Sequence, residues 1–400
     1  MSYKILQISQ KSVFPPLDGG KVAMNSMAKG LADAGCTLHR FILDTPAHPL
    51  GELQIIDSEY TCFTAKLNTR VRPLSALKNL LFESESYHLS RFHSLSIAQE
   101  IRQIIDREQY SCVIVESIFS LKLIEPVLEA IPCPVILRAH NVEHLIWEGI
   151  AAQSTNILKR IYLRIISRRL AADERRLWAK SNGIIAISTN DEQLMRSSGI
   201  NVPIRSVAVA LPSFDPSKDP GLPKLHNLFH LGSMDWLPNS DGMRKFITHF
   251  WPEISSTFPN LKLHLAGKSM PSEFSTNHDK HIYVDGEVEN AIDYMRSNGI
   301  MIVPLWSGSG IRIKIIEGLS LGKVIITTTV GASGIDVKHG RELFICDTVE
   351  EFLDAIRMLQ SDPQKAAEIS KNALTFAEQN YKSETLSQRV IDFIAFVKKQ

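Results

Sequence analysis

The feature that most constrains this chain is a strand–helix alternation that runs, stops and starts again. Short apolar runs at 4–8, 39–43, 111–116, 134–138 and 183–188 read as buried strands, with helical spacing over 22–34, 74–108 and 121–130 between them. Such alternation predicts a parallel sheet, whose ligands collect at the carboxyl ends of the strands. The pattern breaks at Pro212-Ser213-Phe214-Asp215-Pro216-Ser217-Lys218-Asp219-Pro220-Gly221-Leu222-Pro223-Lys224, the densest proline, glycine and aspartate segment in the chain. It resumes with runs at 228–233, 261–266, 281–284, 299–304 and 323–328. At 400 residues the chain exceeds what one core usually sustains. The expected fold is α/β, two doubly wound Rossmann-like domains facing a central cleft that holds the ligand. The domains fall at 1–210 and 227–384, about a linker at 211–226.

The stretch around residue 310 carries most of the chemistry. A strand over 299–304 leads into Leu305-Trp306-Ser307-Gly308-Ser309-Gly310, and helical spacing follows over 311–321. Small loop residues let a ligand approach the backbone, and the free N–H groups of the first helical turn form an anion site. Arg312 and Lys314 lie in or near that turn, where the helix dipole favours acidic residues instead. A diphosphate over the turn removes the conflict, because Arg grips phosphate oxygens as a fork and Lys adds a point charge. The alternative is that both side chains reach solvent or pair with a carboxylate. Glu317 stands three residues after Lys314, so it is either that lysine's partner or an acceptor for sugar or ribose hydroxyls.

Composition excludes several classes. The net charge of +1 gives no general attraction to nucleic acid. Five scattered cysteines without a CxxC pair favour a reducing compartment over a disulfide or zinc framework. The amino terminus is too short in its apolar part for a signal peptide, and no run reaches the length of a membrane span, so a cytoplasmic protein is expected. Gly19-Gly20 closes a loop after the first strand, as a tight turn or a phosphate loop, but neither it nor Gly308-x-Gly310 completes the G-x-G-x-x-G of nicotinamide binding. His140-Asn141-Val142-Glu143-His144 matches the zinc-hydrolase pattern H-x-x-E-H, yet its first histidine directly follows a strand, which favours a loop histidine facing the ligand. A helix over 156–180 carries eight Lys and Arg against Asp173 and Glu174. It reads as a solvated face on a core helix or as a basic helix that can lie on an anionic membrane.

Taken together, several stretches resemble the family 4 glycosyltransferases of the GT-B fold, in particular a bacterial subgroup with a GSGxRxKxxE-type donor-site motif. They are Phe14-Pro15-Pro16-Leu17-Asp18-Gly19-Gly20, Arg138-Ala139-His140-Asn141-Val142-Glu143-His144, Leu231-Gly232-Ser233-Met234-Asp235-Trp236-Leu237-Pro238-Asn239, Gly308-Ser309-Gly310-Ile311-Arg312-Ile313-Lys314-Ile315-Ile316-Glu317 and Gly322-Lys323-Val324-Ile325-Ile326-Thr327. The similarity extends over nearly the whole chain.

The resemblance implies a retaining, metal-independent hexosyltransferase with no cofactor, moving sugar from a nucleoside-diphosphate donor, UDP or GDP, to a glycan or lipid-linked acceptor in bacterial surface polysaccharide or glycoconjugate synthesis. It assigns Glu317 to the ribose, Arg312 and Lys314 to the diphosphate, and His140 to the donor sugar. Gly19, Gly20, Asn141, Gly232, Gly286, Val288, Ser309, Gly310 and Ile311 complete the expected binding set, and a helix over 385–400 would cross back to the first domain. Ser309 stands where many members carry a second glutamate, which leaves the donor sugar open. Ser233 and Asn239 replace a common basic pair, whose charge Arg312 and Lys314 are expected to supply. The alternatives are a nucleotide-sugar epimerase of the same architecture and a non-catalytic nucleotide or polyanion binder.

Overall fold

A computed structural model describes residues 3–13, 19–50, 60–154, 156–209, 225, 227–308 and 311–400. The chain divides into two compact units, Met1–Ala210 with Ser383–Gln400, and Leu211–Lys382. The expected linker at 211–226 lies, apart from Leu225, outside the described residues.

The first unit holds β1 (Lys4–Ser9), β2 (Thr37–Asp44), β3 (Thr61–Lys66), β4 (Cys112–Glu116), β5 (Val135–Ala139), β6 (Gly183–Ala186) and β7 (Ile204–Ser206). They form one sheet in the order β3-β2-β1-β4-β5-β6-β7, and every pairing is parallel. Because side chains alternate across a strand, Leu6, Ile8, Val113 and Val115 pack on one face while Ile5, Cys112 and Ile114 pack on the other. On the second face lie the helices Gly19–Asp33 and Ser383–Val397, the latter through Leu386, Val390, Phe393, Ile394 and Val397. That spacing is an apolar stripe, and it brings the end of the chain back onto the first sheet. The two helices approach closely at Gly30, where a Cβ would sit 2.1 Å from Ser387 Oγ.

Two expectations change here. Gly19 and Gly20 open the helix Gly19–Asp33 and do not belong to the preceding loop, because the helix begins three residues earlier than its apolar spacing indicates. Within 45–68, where the apolar runs predict no strand, Thr61–Lys66 forms β3, an edge strand whose residues are exposed or half-buried and so show little apolar pattern.

The second unit holds β8 (Asn227–Leu231), β9 (Lys262–Ala266), β10 (Ile282–Gly286), β11 (Ile300–Val303), β12 (Ile325–Thr327) and β13 (Phe344–Ile345), ordered β10-β9-β8-β11-β12-β13 and parallel throughout. Strand order reverses between β1 and β4 in the first sheet and between β8 and β11 in the second. Such switch points open a crevice at the carboxyl ends of the strands, where α/β sheets bind ligands.

Candidate functional site

In the second unit the loops at the switch point are stitched together by backbone. Gly232 N–H, just after β8, donates to Ala266 O at 3.0 Å, and Gly267 N–H donates to Gly286 O at 2.7 Å. The contact is so close that a Cβ on Gly267, whose φ is +140°, would lie 1.8 Å from Gly232 O. Val288 follows this row of turns and is half-buried.

Across the switch point, the helix Ile313–Ser320 has Arg312 as its N-cap and no acidic residue in its first turn. The Arg312 guanidinium is buried and lies 5.3 Å from the centroid of the Trp236 ring, a cation–π contact. Lys314 Nζ donates to Asn239 Oδ1 at 3.0 Å and approaches His230 Nε2 at 3.4 Å. His230 Nδ1 lies 3.0 Å from Ile302 O, which can only accept, so the proton sits on Nδ1 and the Nε2 lone pair faces the lysine. A Cβ on Gly232 would be 2.4 Å from Lys314 Nζ, so the glycine leaves the room that the ammonium fills.

Lys314 reaches Asn239, one of the two positions of the absent basic pair, from another element. Burial first, and then the charge of Arg312, push the Lys314 ammonium down to about 7, against the pull of Glu317. Burial pushes Glu317 up to about 7, with Lys314 opposing. Among the described residues no ion pair joins Lys314 to Glu317, so the reading of the glutamate as that lysine's bonded partner is not met. An anion over the turn would restore full charge to Lys314. Ile311 is half-buried at the start of this segment, and Ser309 and Gly310 lie outside the described residues.

In the first unit the carboxyl ends of β1, β4 and β5 converge on Glu116, a fully buried carboxylate. Gln7 Nε2 donates to its Oε1 at 2.6 Å, His140 Nε2 lies 2.6 Å from its Oε2, and Arg138 Nη1 stands 3.4 Å from the same oxygen. Gln7 and Arg138 also donate to Met24 O and Ala23 O, which ties the Gly19–Asp33 helix to the cluster. Burial opposes ionisation of Glu116, but the Arg138 charge and the hydrogen bonds from His140 and Gln7 outweigh it and hold the carboxylate down to about 2. Burial lowers the His140 pKa despite the carboxylate, so the ring is neutral with its proton on Nε2. His140 Nδ1 is buried without a hydrogen-bond partner among the described residues.

The H-x-x-E-H motif is divided between two carboxylates. His144 Nδ1 pairs with Glu174 at 2.6 Å, and Glu174 also accepts from the backbone N–H groups of Glu143 and His144 at the start of helix Glu143–Gln153. Asn141 Nδ2 lies 3.4 Å from Glu143 Oε1. Among the described residues no three His, Cys, Asp or Glu side chains are grouped to hold a metal.

Glu116, Gln7, Arg138 and His230 were missed as site residues. Each is a polar residue inside an otherwise apolar strand, a signal that marks a buried network without saying what it joins.

The architecture is that of the GT-B fold, two Rossmann-like units with crevices at their switch points. Known structures agree over 98% of this chain: Anabaena HepE in complex with UDP (TM-score 0.67, 15% identity, 100% of that chain), a sucrose-phosphate synthase from Thermosynechococcus elongatus (0.67, 14%, 99%) and a Staphylococcus aureus TarM variant in complex with fondaparinux, alpha-GlcNAc-glycerol and UDP (0.70, 10%, 99%). Residues 226–362, which hold the Arg312 helix, match the family Glycosyl transferases group 1. An uncharacterized 44.6 kDa protein in the cps region of Klebsiella pneumoniae is 24% identical over 299 residues, covering 71% of this chain and 74% of that protein. Fold and family match together support a GT-B glycosyltransferase.

Proposed function

We propose that this protein is a retaining, metal-independent hexosyltransferase that uses a UDP-sugar and has no cofactor. The observation that carries the reading is the first turn of the helix Ile313–Ser320. It presents Arg312 and Lys314 and no carboxylate, beside the glycine turn of β8 at a switch point. A diphosphate there is both ligand and leaving group, so these cations and the helix N–H groups stabilise charge that grows in the transition state. Glu317, on the same helix, accepts the ribose hydroxyls, and the turn from Gly286 to Val288 lies by the base. Ser309, Gly310 and Ile311 supply backbone to the diphosphate.

In the first unit, Gly19 and Gly20 add helix-terminal N–H groups and Asn141 adds a polar contact. His140 offers Nδ1 as an acceptor to a sugar hydroxyl, since Glu116 fixes the proton on Nε2. The UDP-bound structures of similar fold support uridine over guanosine, and the cps-region relative supports a place in polysaccharide synthesis, where the acceptor is a glycan or lipid-linked molecule.

The test is a thermal-shift comparison of UDP, GDP, CDP and dTDP, since a ligand of the native state raises the melting point by mass action. A shift with UDP that Glu317→Ala removes supports the donor site. No shift with any nucleotide overturns it. Turnover of a UDP-sugar only with added acceptor then separates transfer from epimerisation, and the anomeric configuration of the product decides retention.

A further inference from the structure

The largest group of uncovered apolar side chains in the first unit lies in one short segment, and a smaller one, Ile157, Leu158 and Ile161, opens the basic helix Ile157–Trp178. Helix Pro73–Phe82 buries Asn79 and half-buries Ala76 and Leu80. Its opposite face carries Leu74, Leu77 and Leu81, spaced i, i+3, i+7, at 84%, 52% and 64% exposure, flanked by Phe82 at 78% and Val71 at 63%. This face is held outward. Arg169 donates from Nη1 to Asn79 O at 3.1 Å and from Nη2 to Leu80 O at 2.8 Å, satisfying carboxyl-terminal carbonyls of the helix.

Within 66–82 the charge has one sign, and the first carboxylate beyond it, the C-cap Glu83, accepts from Asn79 Nδ2. Lys66, Arg70, Arg72 and Lys78 are all exposed, and 66–82 contains no carboxylate. Among the described residues none of the four forms an ion pair. Where the chain enters the helix, a cavity of about 270 Å³ has Arg70 and Arg91 on its wall, also without a carboxylate. The basic helix Ile157–Trp178 differs, since its cations are partly spent inside the unit. Arg160 bonds Ser154 O, Arg169 holds the neighbouring helix, and Arg176, with Lys180 just beyond the helix, pairs with Glu125.

We propose that residues 66–82 dock the protein on an anionic lipid bilayer. Leu74, Leu77, Leu81 and Phe82 enter the acyl boundary, Lys78 extends to the headgroups, and Arg70, Arg72 and Lys66 meet lipid phosphates. No helix among the described residues is long and apolar enough to cross a membrane, so the contact is peripheral. A second copy of the chain is a poorer occupant, because a two-fold contact through this face sets the same cations against one another. The inference is independent of the donor site.

The test is co-sedimentation of the full chain with vesicles of phosphatidylcholine alone or with phosphatidylglycerol. Binding is expected only to the anionic vesicles and should weaken with salt. Arg70→Glu/Arg72→Glu/Lys78→Glu should lower partitioning by more than about a hundredfold, three cations each being worth about fivefold. Leu74→Ser/Leu77→Ser/Leu81→Ser should lose it as well, and unchanged melting temperatures in both variants show that they fold. The proposal is overturned by absent or charge-independent vesicle binding, or by binding that survives in both variants. Loss of binding only on reversing Lys159, Arg164 and Arg168 would also overturn it, as would a concentration-dependent dimer that the leucine variant abolishes.

Discussion

The two units place charged residues at the same topological position and treat them in opposite ways. At the carboxyl ends of β1, β4 and β5 the charges are matched inside the protein: Glu116 receives Gln7, Arg138 and His140 and is held as a carboxylate. Beyond β8 and β11, the partners of Lys314 among the described residues are the neutral Asn239 and His230, and Arg312 stands beside it at the helix N-terminus. A balanced cluster acts by holding geometry, whereas the buried Lys314 ammonium, with neutral bonding partners, would regain full charge when an anion arrives. On that comparison the first cluster is suited to positioning and the second is the candidate for binding.

The largest expected effect breaks the balanced cluster. Glu116→Ala leaves Arg138 buried without its carboxylate and should lower unfolding free energy by about 3–5 kcal/mol in urea denaturation. A loss within the range of surface substitutions would mean that the cluster is not balanced through Glu116. The milder Glu116→Gln addresses pH. A carboxylate held down to about 2 contributes stability that is full above the ordinary carboxylate range and is lost as pH falls towards about 2. The acid limb of the stability curve should therefore flatten in this variant.

Next in size is the cationic site. Arg312→Ala and Lys314→Ala should each cut kcat/KM for the UDP-sugar by more than about tenfold with little change in melting temperature. Normal turnover in both variants would make the second cluster structural like the first.

A smaller effect sharpens the same point. With Lys314 pushed down to about 7, UDP binding should weaken as pH rises through that value, by up to about tenfold per pH unit, because binding must return to Lys314 the proton that the free lysine has lost. Glu317 ionises over the same range and can mask the slope, so titration calorimetry is best run on Glu317→Gln and compared with Glu317→Gln/Lys314→Met, in which the slope should vanish.

Gly232→Ala should have the mildest consequence. Its Cβ would displace the flexible end of Lys314, weakening UDP binding by roughly three- to tenfold while the fold is retained, as measured by calorimetry and melting temperature. An unchanged affinity would show that the ammonium does not need its present place.

The fold was legible because the inner strands are buried on both faces and read as continuous apolar runs, as in Cys112–Glu116 and Ile300–Val303. The edge strand Thr61–Lys66 was not, since a half-covered strand mixes polar and apolar residues. Within the candidate site, Arg312 and Lys314 stood out because cations at a helix start oppose the dipole, a local argument that needs no neighbours. Glu116 gave no comparable signal, since a glutamate ending an apolar strand has the same sequence context whether it faces solvent or a buried arginine.

By itself, then, the sequence determined the alternation, the break between the two units and the cations of the Arg312 helix, all properties of residues close together along the chain. Tertiary structure alone decided that Lys314 reaches Asn239 and His230, 75 and 84 positions away, and that His140 is fixed by Glu116. It also decided that the leucines of Pro73–Phe82 face outward. Strand order in a parallel sheet sets which distant carboxyl ends become neighbours, and burial then sets which charges are matched there and which await a ligand.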